Sequence, residues 1–226
     1  MSVALQVVDD PAVQCADLLL EAASAAGHIV VAGGSTPRVA YQRAADDPDA
    51  WAGVTLWFGD ERCVPPDDDR SNYLMVKEAL LDKIGSVSVH RMKGELGPDR
   101  GADDYERELR EAGSPRFDLL LLGIGPDGHT ASLFPDQPSV SERSRLVFGV
   151  EMPGLEPFVP RITFTLPAIA NAQHVVLLIS GESKADAVAK AFGSDARPDP
   201  HVPSSLLSTL DTSVTVLLDP PAAGRL

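Results

Sequence analysis

The chain lacks the features that mark several large classes of protein. Its 226 residues include only two cysteines, Cys15 and Cys63, which stand in neither a redox nor a metal-binding spacing. Such a pair cannot supply a disulfide framework, so we expect reduced thiols. No apolar run approaches the ~20 residues that cross a bilayer. The opening MSVALQVVDD is too short and too acidic for a signal peptide. These absences predict a cytoplasmic protein with no membrane partner.

Basic residues are also scarce. The chain has 19 Lys and Arg against 33 Asp and Glu, which gives a formal net charge of −14. Nucleic acids and anionic membranes favour a basic protein face, so neither is expected as a main partner. If the chain binds an anion, a few local cations and backbone N–H groups must bind it.

What the chain does have is a regular alternation of short apolar runs with helical periods. Several runs are continuous stretches of Val, Leu and Ile, which is typical of strands covered on both faces. The alternation predicts an α/β fold with a mostly parallel sheet and helices on both faces, formed by residues 1–226 as a single domain. Ligands of such sheets bind beyond the carboxyl ends of the strands. The predicted strands are Leu5–Val8, Ile29–Ala32, Thr55–Phe58, Val87–His90, Phe117–Leu122, Ile162–Leu166, Val175–Ile179 and Val214–Leu218.

Two helices can be placed between these strands. The apolar spacing predicts one from Pro11 to Ala26, with Gly27 as its stop. A second is predicted to start near Ser71 and to run to about Ile84. The loop GSDARPDPHVP, at 193–203, precedes a short last helix.

The segment FDLLLLGIGPDGHTASLFP ends a strand in the pattern Gly123-x-Gly125-x-x-Gly128, which is the fingerprint of a dinucleotide-binding turn. Asp127, however, would place a carboxylate beside the pyrophosphate, and two prolines interrupt the helix that should follow. Glu151 could still serve as the ribose-binding acid, so this alternative stays open.

The same turn can instead aim side chains at a substrate. Its first two glycines allow a sharp exit from the strand, and Gly128 lets the chain begin a helix. Asp127 near His129 would fix the tautomer of the imidazole and support it as a general base. A histidine with a purely structural role is the alternative, and we favour the catalytic interpretation.

A second strand exit reads IVVAGGSTP. Gly33 and Gly34 give an open backbone, Ser35 or Thr36 can cap the next helix, and Pro37 suits its first turn. The free N–H groups and hydroxyls of this loop predict an anion site. The segment matches neither a P-loop nor a nucleophile elbow. A capped helix without a ligand is the alternative.

Three cations follow other strands and could complete the anion site. Arg62 ends LWFGDER, Lys184 follows VVLLISGES, and Arg161 opens RITFTL. A lysine in the first turn of a helix opposes the helix dipole, so Lys184 makes better sense beside a bound phosphate. A surface role is the alternative for each of them.

Together the segments AGGSTP, FGDER, SNYLMVKEALL, GIGPDGHTASLFP, RITFTLPAI, SGESKADAV and DPPAAGRL resemble the 6-phosphogluconolactonase family, in the same order from about residue 29 onward. The resemblance implies a Rossmann-like α/β fold shared with glucosamine-6-phosphate deaminases. It implies hydrolysis of 6-phospho-D-glucono-1,5-lactone to 6-phosphogluconate in the oxidative pentose phosphate pathway, without a cofactor. No metal is expected, because no His, Cys or carboxylate set has ligand spacing.

The resemblance also implies roles for the candidate residues. The loop from Gly33 to Thr36 would hold the 6-phosphate, with Arg62 and Lys184 neutralising it and Arg161 as a third candidate. His129 would activate water, with Asp127 orienting its ring. Backbone N–H groups at a helix starting at Gly128 would meet the oxyanion. The sequence leaves the oligomeric state open between a monomer and a weak dimer.

Two other functions compete with this one. Sugar-phosphate deaminases share the loop and the DGH turn, but they resemble DGHIAFNEP where this chain reads DGHTASLFP, and Leu133-Phe134 supplies no acid. They also tend to carry an aromatic residue where this chain has Arg62. A non-catalytic sugar-phosphate sensor is the second rival, although such a protein should have lost the base.

Overall fold

The computed structural model describes residues 3–226, which form a large parallel sheet and a small antiparallel one. The ten strands are β1 Val3–Val7, β2 His28–Val31, β3 Thr55–Phe58, β4 Asp60–Arg62, β5 Ser88–His90, β6 Phe117–Leu122, β7 Val147–Val150, β8 Arg161–Phe164, β9 Ala172–Ile179 and β10 Ser213–Leu218. Seven of them form the parallel sheet in the order β1-β10-β9-β6-β2-β3-β5, and the other three form the antiparallel sheet β4-β8-β7.

Helices connect the strands of the large sheet, as parallel pairing requires. They are α1 Pro11–Ser24, α2 Ser35–Ala44, α3 Asn72–Val76, α4 Pro98–Glu111, α5 Pro138–Ser141, α6 Leu166–Ala170 and α7 Ala185–Phe192. Asp10 caps α1 by accepting hydrogen bonds from the N–H groups of Ala12 and Val13. None of the helices in the described range 3–226 is long and apolar enough to span a membrane.

The centre of the large sheet contains its topological switch point. From β2 the chain proceeds outward to β3 and β5, whereas from β6 it proceeds to β9 and β10 on the other side. The two neighbouring strands β2 and β6 therefore diverge in their connections, and a crevice opens beyond their carboxyl ends. Gly33-Gly34 lies just past the end of β2 and Gly123 immediately follows β6, so both predicted turns lie at this crevice.

The core of the sheet holds this crevice in place. The central strands bury Ile29, Val30, Leu56, Leu120 and Val175 completely, which explains the continuous apolar runs of the sequence. Full burial of such side chains contributes about 1.5–3 kcal/mol each to the hydrophobic stabilisation. The strand ends that carry the candidate residues are therefore anchored in a well-packed core.

The predicted fold class is confirmed, with corrections in detail. The strand expected at Ile162–Leu166 forms at Arg161–Phe164 but belongs to the antiparallel sheet, and Leu166 already begins α6. The first helix ends at Ser24, because Ala26 adopts a positive φ of 52° before Gly27 is reached. The second begins at Asn72 as expected but continues from Lys77 to Leu81 as a π-helical turn. The short last helix is the 3-10 segment Pro203–Thr209.

Candidate active site

A cavity of about 270 Å³ lies at the switch point. Its wall combines the glycine turns after β2 and β6 with ionisable side chains, namely Asp60, Arg62, His129, Glu156, Arg161 and Lys184. A second cavity of about 150 Å³ is lined by the loop from Gly33 to Pro37 and by Ser180. The two cavities adjoin, because Lys184 and both glycine turns line each of them. The structure thus brings most of the predicted site residues to one crevice.

His129 and Asp127 form a hydrogen-bonded pair. The Nδ1 atom of His129 lies 2.6 Å from Oδ1 of Asp127, and the same oxygen accepts the His129 backbone N–H at 3.2 Å. Burial opposes ionisation of Asp127, but the hydrogen bonds from His129 outweigh it and lower the pKa of the carboxyl below its ordinary value. An ionised Asp127 holds the proton on Nδ1, which leaves Nε2 as the basic nitrogen.

Glycine at position 125 makes this pair possible. A Cβ atom there would lie 2.1 Å from Nδ1 of His129 and 2.5 Å from Oδ1 of Asp127. The imidazole also packs against the ring of Phe134, with the ring centroids 4.6 Å apart. These contacts fix the ring on the wall of the larger cavity, with its side chain 18% exposed.

Gly128 has a different role from the expected one. It does not begin a helix; the next helix, α5, starts only at Pro138. Its φ of +85° and a Val202 side chain 2.8 Å from any added Cβ explain why the residue is glycine. Its N–H group donates to the Gly125 carbonyl at 3.0 Å and is not free to meet an oxyanion. The expected helix start at Gly128 is therefore wrong.

The loop after β2 forms the open end of α2. Gly34 precedes the first helical residue, Ser35, and its φ of +116° favours glycine. Neither Ser35 nor Thr36 caps the helix with its side chain, contrary to expectation. The first N–H groups of α2 have no partner within the helix, so with the helix dipole they favour an anion. Gly33 is glycine because a Cβ would overlap the amide of Asn72, 1.9 Å from its Oδ1.

Lys184 lines the smaller cavity together with this loop. It ends the 3-10 turn Glu182–Lys184 just before α7 and lines both cavities. Burial lowers the pKa of its ammonium group, and the negative charge of Asp127 partly opposes that shift. A half-buried cation that lines the open end of a helix is well placed to meet an anionic ligand.

Arg62 and Arg161 meet across the antiparallel sheet. They are register partners in β4 and β8, and both line the larger cavity. Each guanidinium donates to one backbone carbonyl, Arg62 to Arg70 at 2.6 Å and Arg161 to Pro157 at 2.7 Å. The Nε atom of each is buried without a hydrogen-bond partner among the described residues. Burial, together with the charge of Arg62, lowers the pKa of Arg161 to about 10. Two such groups side by side favour an anion.

Sequence reasoning missed four polar residues of the cavity wall, namely Glu156 and the hydrogen-bonded set of Asp60, Asn72 and Ser132. Asp60 accepts hydrogen bonds from Nδ2 of Asn72 at 3.0 Å and from Oγ of Ser132 at 2.6 Å, and all three line the cavity. Asp60 follows β3 closely, and its place in FGDER was the available signal. Its partners lie 12 and 72 positions away in the chain, so no local pattern could connect them.

Neighbouring Glu61 is a buried carboxylate that holds the start of α3. It accepts the N–H groups of Asn72 at 2.7 Å and Tyr73 at 2.8 Å and the Ser71 hydroxyl at 3.0 Å. Burial nevertheless raises the pKa of Glu61, because it outweighs these hydrogen bonds. Glu61 therefore supports the wall of the site through Asn72. Within residues 3–226 no group of three or more His, Cys, Asp or Glu side chains could hold a metal ion.

An α/β sheet whose switch point holds a His–Asp pair beside the open N-terminal end of a helix is an arrangement typical of enzymes that act on small anionic substrates. Comparison with known proteins identifies the family. The family model "Glucosamine-6-phosphate isomerases/6-phosphogluconolactonase" matches residues 3–216, and the chain belongs to this family. The family predicted from the sequence is therefore confirmed.

Individual relatives agree with this assignment. A 6-phosphogluconolactonase of Synechocystis sp. is 39% identical over 184 residues, which span 77% of this chain and 75% of that protein. The solved structure of a 6-phosphogluconolactonase from Trypanosoma cruzi matches with a TM-score of 0.87 and 29% identity, over 100% of this chain and 98% of that one. A monomeric glucosamine-6-phosphate deaminase matches with a TM-score of 0.86 at 21% identity, over 100% of both chains, and shows the fold alone.

Proposed function

We propose that this chain hydrolyses 6-phospho-D-glucono-1,5-lactone to 6-phosphogluconate, as a single catalytic domain in the cytoplasm and as a step of the oxidative pentose phosphate pathway. One observation carries the proposal: an imidazole with its basic Nε2 available lines the same crevice as the open end of α2 and Lys184. A base at one end and an anion site at the other match a substrate with an ester at one end and a phosphate at the other. The relatives named 6-phosphogluconolactonase support the same substrate.

His129 acts as the general base. Its Nε2 removes a proton from a water molecule while the water oxygen attacks the C1 carbonyl carbon of the lactone. The bond between C1 and the ring oxygen then breaks, and the imidazolium returns its proton to that oxygen, which leaves as the C5 hydroxyl. Asp127 stabilises the imidazolium between the two transfers through the 2.6 Å hydrogen bond to Nδ1. Neither residue is consumed, and no cofactor takes part.

The phosphate is bound by the loop from Gly33 to Thr36 and by Lys184. The N–H groups at the start of α2 supply directional donors, and the half-buried ammonium supplies charge. Arg62 and Arg161 add positive charge to the same cavity wall and draw the anionic substrate in. Anchoring the tail in this way places the lactone carbonyl before His129, which lowers the entropic cost of the reaction.

The residues after the DGH turn argue against deamination. Leu133 and Phe134 are apolar and almost completely buried, so they supply no acid for proton transfer on an amino sugar. Phe134 instead packs on the His129 ring. We therefore expect no ammonia release from glucosamine 6-phosphate.

The test is to follow acid release from freshly prepared lactone, above its spontaneous opening, for wild type and His129→Ala. We expect the variant to lose about 10²–10⁴-fold in kcat. His201→Ala is a matched control, because His201 also pairs with an aspartate, Asp136, but at an exposed site outside the cavity. Equal rates for wild type and His129→Ala would refute the general base. Ammonia release from glucosamine 6-phosphate would favour the deaminase instead, and turnover of unphosphorylated gluconolactone at the same efficiency would refute the phosphate anchor.

A further inference from the structure

Asp60 is an ionisable group on the cavity wall that the proposed mechanism does not use. It follows β3 by one residue and begins β4, on the same side of the crevice as Arg62. Its two carboxylate oxygens accept one side-chain hydrogen bond each, from Asn72 and from Ser132. An ionised carboxylate can accept about four hydrogen bonds. Asp60 therefore has acceptor capacity to spare toward the cavity.

The Asp60 carboxylate is held by two side chains from distant segments of the chain. Asn72 donates both hydrogens of its amide to Asp60, one to the backbone oxygen at 2.9 Å and one to Oδ1 at 3.0 Å. Ser132 reaches Oδ2 from the segment that follows His129, and its own N–H donates to Thr163 of β8 at 3.0 Å. Such a supporting shell fixes the remaining acceptor directions before a ligand arrives.

The chemistry of the substrate limits what Asp60 can contact. A carboxylate repels the phosphate group, so Asp60 is unsuited to the anion end. The ring hydroxyls at C2, C3 and C4 are the donors that the lactone offers, and carboxylate acceptors bind hydroxyl donors with short, strong hydrogen bonds. Within residues 3–226, Asp60 forms no hydrogen bond to Arg62 or Arg161, whose bonded acceptors are backbone carbonyls. Asp60 therefore remains available to a neutral donor.

We propose that Asp60 is a specificity-determining residue that accepts a hydrogen bond from a ring hydroxyl of the substrate, with Asn72 and Ser132 as its positioning residues. The proposal rests on the proposed lactonase function. It makes the cavity selective for polyhydroxylated sugar lactones over deoxy lactones with the same phosphate and the same ester. A site built to bind a hydroxyl discriminates strongly against an analogue that lacks it.

The test compares kcat/KM for the parent lactone and its 2-, 3- and 4-deoxy analogues, all carrying the 6-phosphate, in wild type and D60N. The amide of D60N retains the size of the side chain and can still bond Asn72 and Ser132. We expect D60N to lose about ten- to hundredfold on the parent, mainly through a higher KM. One deoxy analogue should show a similar loss with wild type but little further loss with D60N.

Asp118→Asn is the matched control. Asp118 also accepts two hydrogen bonds, from the His28 N–H at 2.8 Å and from Gln173 at 2.7 Å, but it lies outside the cavity. This variant should keep the wild-type preference among the four lactones. Calorimetric titration with 6-phosphogluconate and its deoxy counterparts gives the same comparison without turnover.

The two proposals fail in different ways. If wild type hydrolyses the parent lactone but D60N loses the same factor on all four substrates, Asp60 bonds no hydroxyl and the inference is wrong, while the lactonase stands. If wild type hydrolyses none of them, the proposed function is wrong. Should D60N not fold, the wild-type series alone decides, because equal efficiency on all four lactones would overturn hydroxyl recognition.

Discussion

Replacing Gly125 with alanine perturbs the hydrogen-bonded pair of His129 and Asp127, which we propose to be catalytic, without removing either member. The new Cβ would lie 2.1 Å from Nδ1 and 2.2 Å from Cε1 of His129. Non-bonded heavy atoms rest at about 3.5–4.0 Å, so the imidazole must move by more than about 1 Å. The same Cβ would lie 2.5 Å from Oδ1 of Asp127, which blocks a simple shift of the ring along the hydrogen bond. The pair must therefore separate or rotate.

The expected loss in kcat is about 10²–10⁴-fold. The lower figure is the typical cost of displacing a catalytic group by about 1 Å, and the upper figure is the full contribution of a general base. KM should change little, because the open end of α2 and Lys184 are untouched. Overpacking should also lower the free energy of unfolding by about 1–3 kcal/mol. Kinetics must therefore be measured well below the melting temperature of the variant.

The decisive assay is a double-mutant cycle of Gly125→Ala with His129→Ala. If the alanine acts through the imidazole, the double variant should be no slower than His129→Ala alone. Gly59→Ala is the control, because Gly59 also lies just beyond a strand of the large sheet, β3, yet its added Cβ meets only ordinary contacts, the shortest 3.5 Å from Val30. Wild-type kcat in Gly125→Ala, or multiplicative losses in the double variant, would refute the reasoning.

Three further substitutions test the rest of the site. Asp127→Asn should lower kcat by about 10²-fold or more with KM unchanged, because the amide no longer stabilises the imidazolium. Lys184→Ala should raise KM for the phosphorylated lactone. In wild type, kcat/KM should fall as the pH rises, because Lys184 loses its charge, and the fall should begin at a pH below the ordinary lysine pKa of 10.5, since burial lowers the pKa of Lys184. Tyr41→Phe should cost about 1–3 kcal/mol of unfolding free energy and raise KM, because its hydroxyl bonds both N–H and carbonyl of Ala32, just before Gly33.

Each of these has a control elsewhere in the chain. Asp136→Asn, which removes the carboxylate partner of His201, should leave kcat unchanged. Lys190→Ala, near the end of α7, should keep both KM and the alkaline limb of the pH profile. Thr212→Val removes a buried hydroxyl that donates to the Ala172 carbonyl at 2.6 Å, at the amino ends of β9 and β10 and away from the crevice, and should reduce stability without affecting KM. An effect of equal size in a control would contradict the corresponding prediction.

The large sheet was predictable from the sequence because its central strands are buried on both faces. Thr55–Phe58 and Phe117–Leu122 were placed at their observed bounds, since a continuous apolar run leaves little choice. The antiparallel sheet was not predictable in the same way. Its strand Asp60–Arg62 is short and polar, and Val147–Val150 contains a glycine and is buried only at its two ends. Strand-helix alternation cannot reveal that Arg161–Phe164 leaves the main sheet.

The site was predictable where it is local in sequence. Asp127 and His129 are two positions apart, so a single turn indicates their contact. The hydrogen bonds of the Asp60 carboxylate involve partners up to 72 positions away, and only the fold brings these residues together. The surroundings of Gly128 are likewise non-local, because it lies against Val202 and its carbonyl accepts the Ser204 N–H at 3.0 Å.

The pattern Gly123-x-Gly125-x-x-Gly128 suggested a dinucleotide site, but its glycines serve another purpose in this chain. A pyrophosphate turn needs a helix N-terminus directly behind its glycines, and none follows Gly128. Gly125 instead makes room for an imidazole and a carboxylate. The helix N-terminus that favours an anion lies instead after the neighbouring strand β2, where Ser35 and Thr36 begin α2. One strand exit thus supplies backbone donors and the other supplies side chains, and their adjacency in the sheet brings both to a single crevice, as the proposed hydrolysis of a phosphorylated lactone requires.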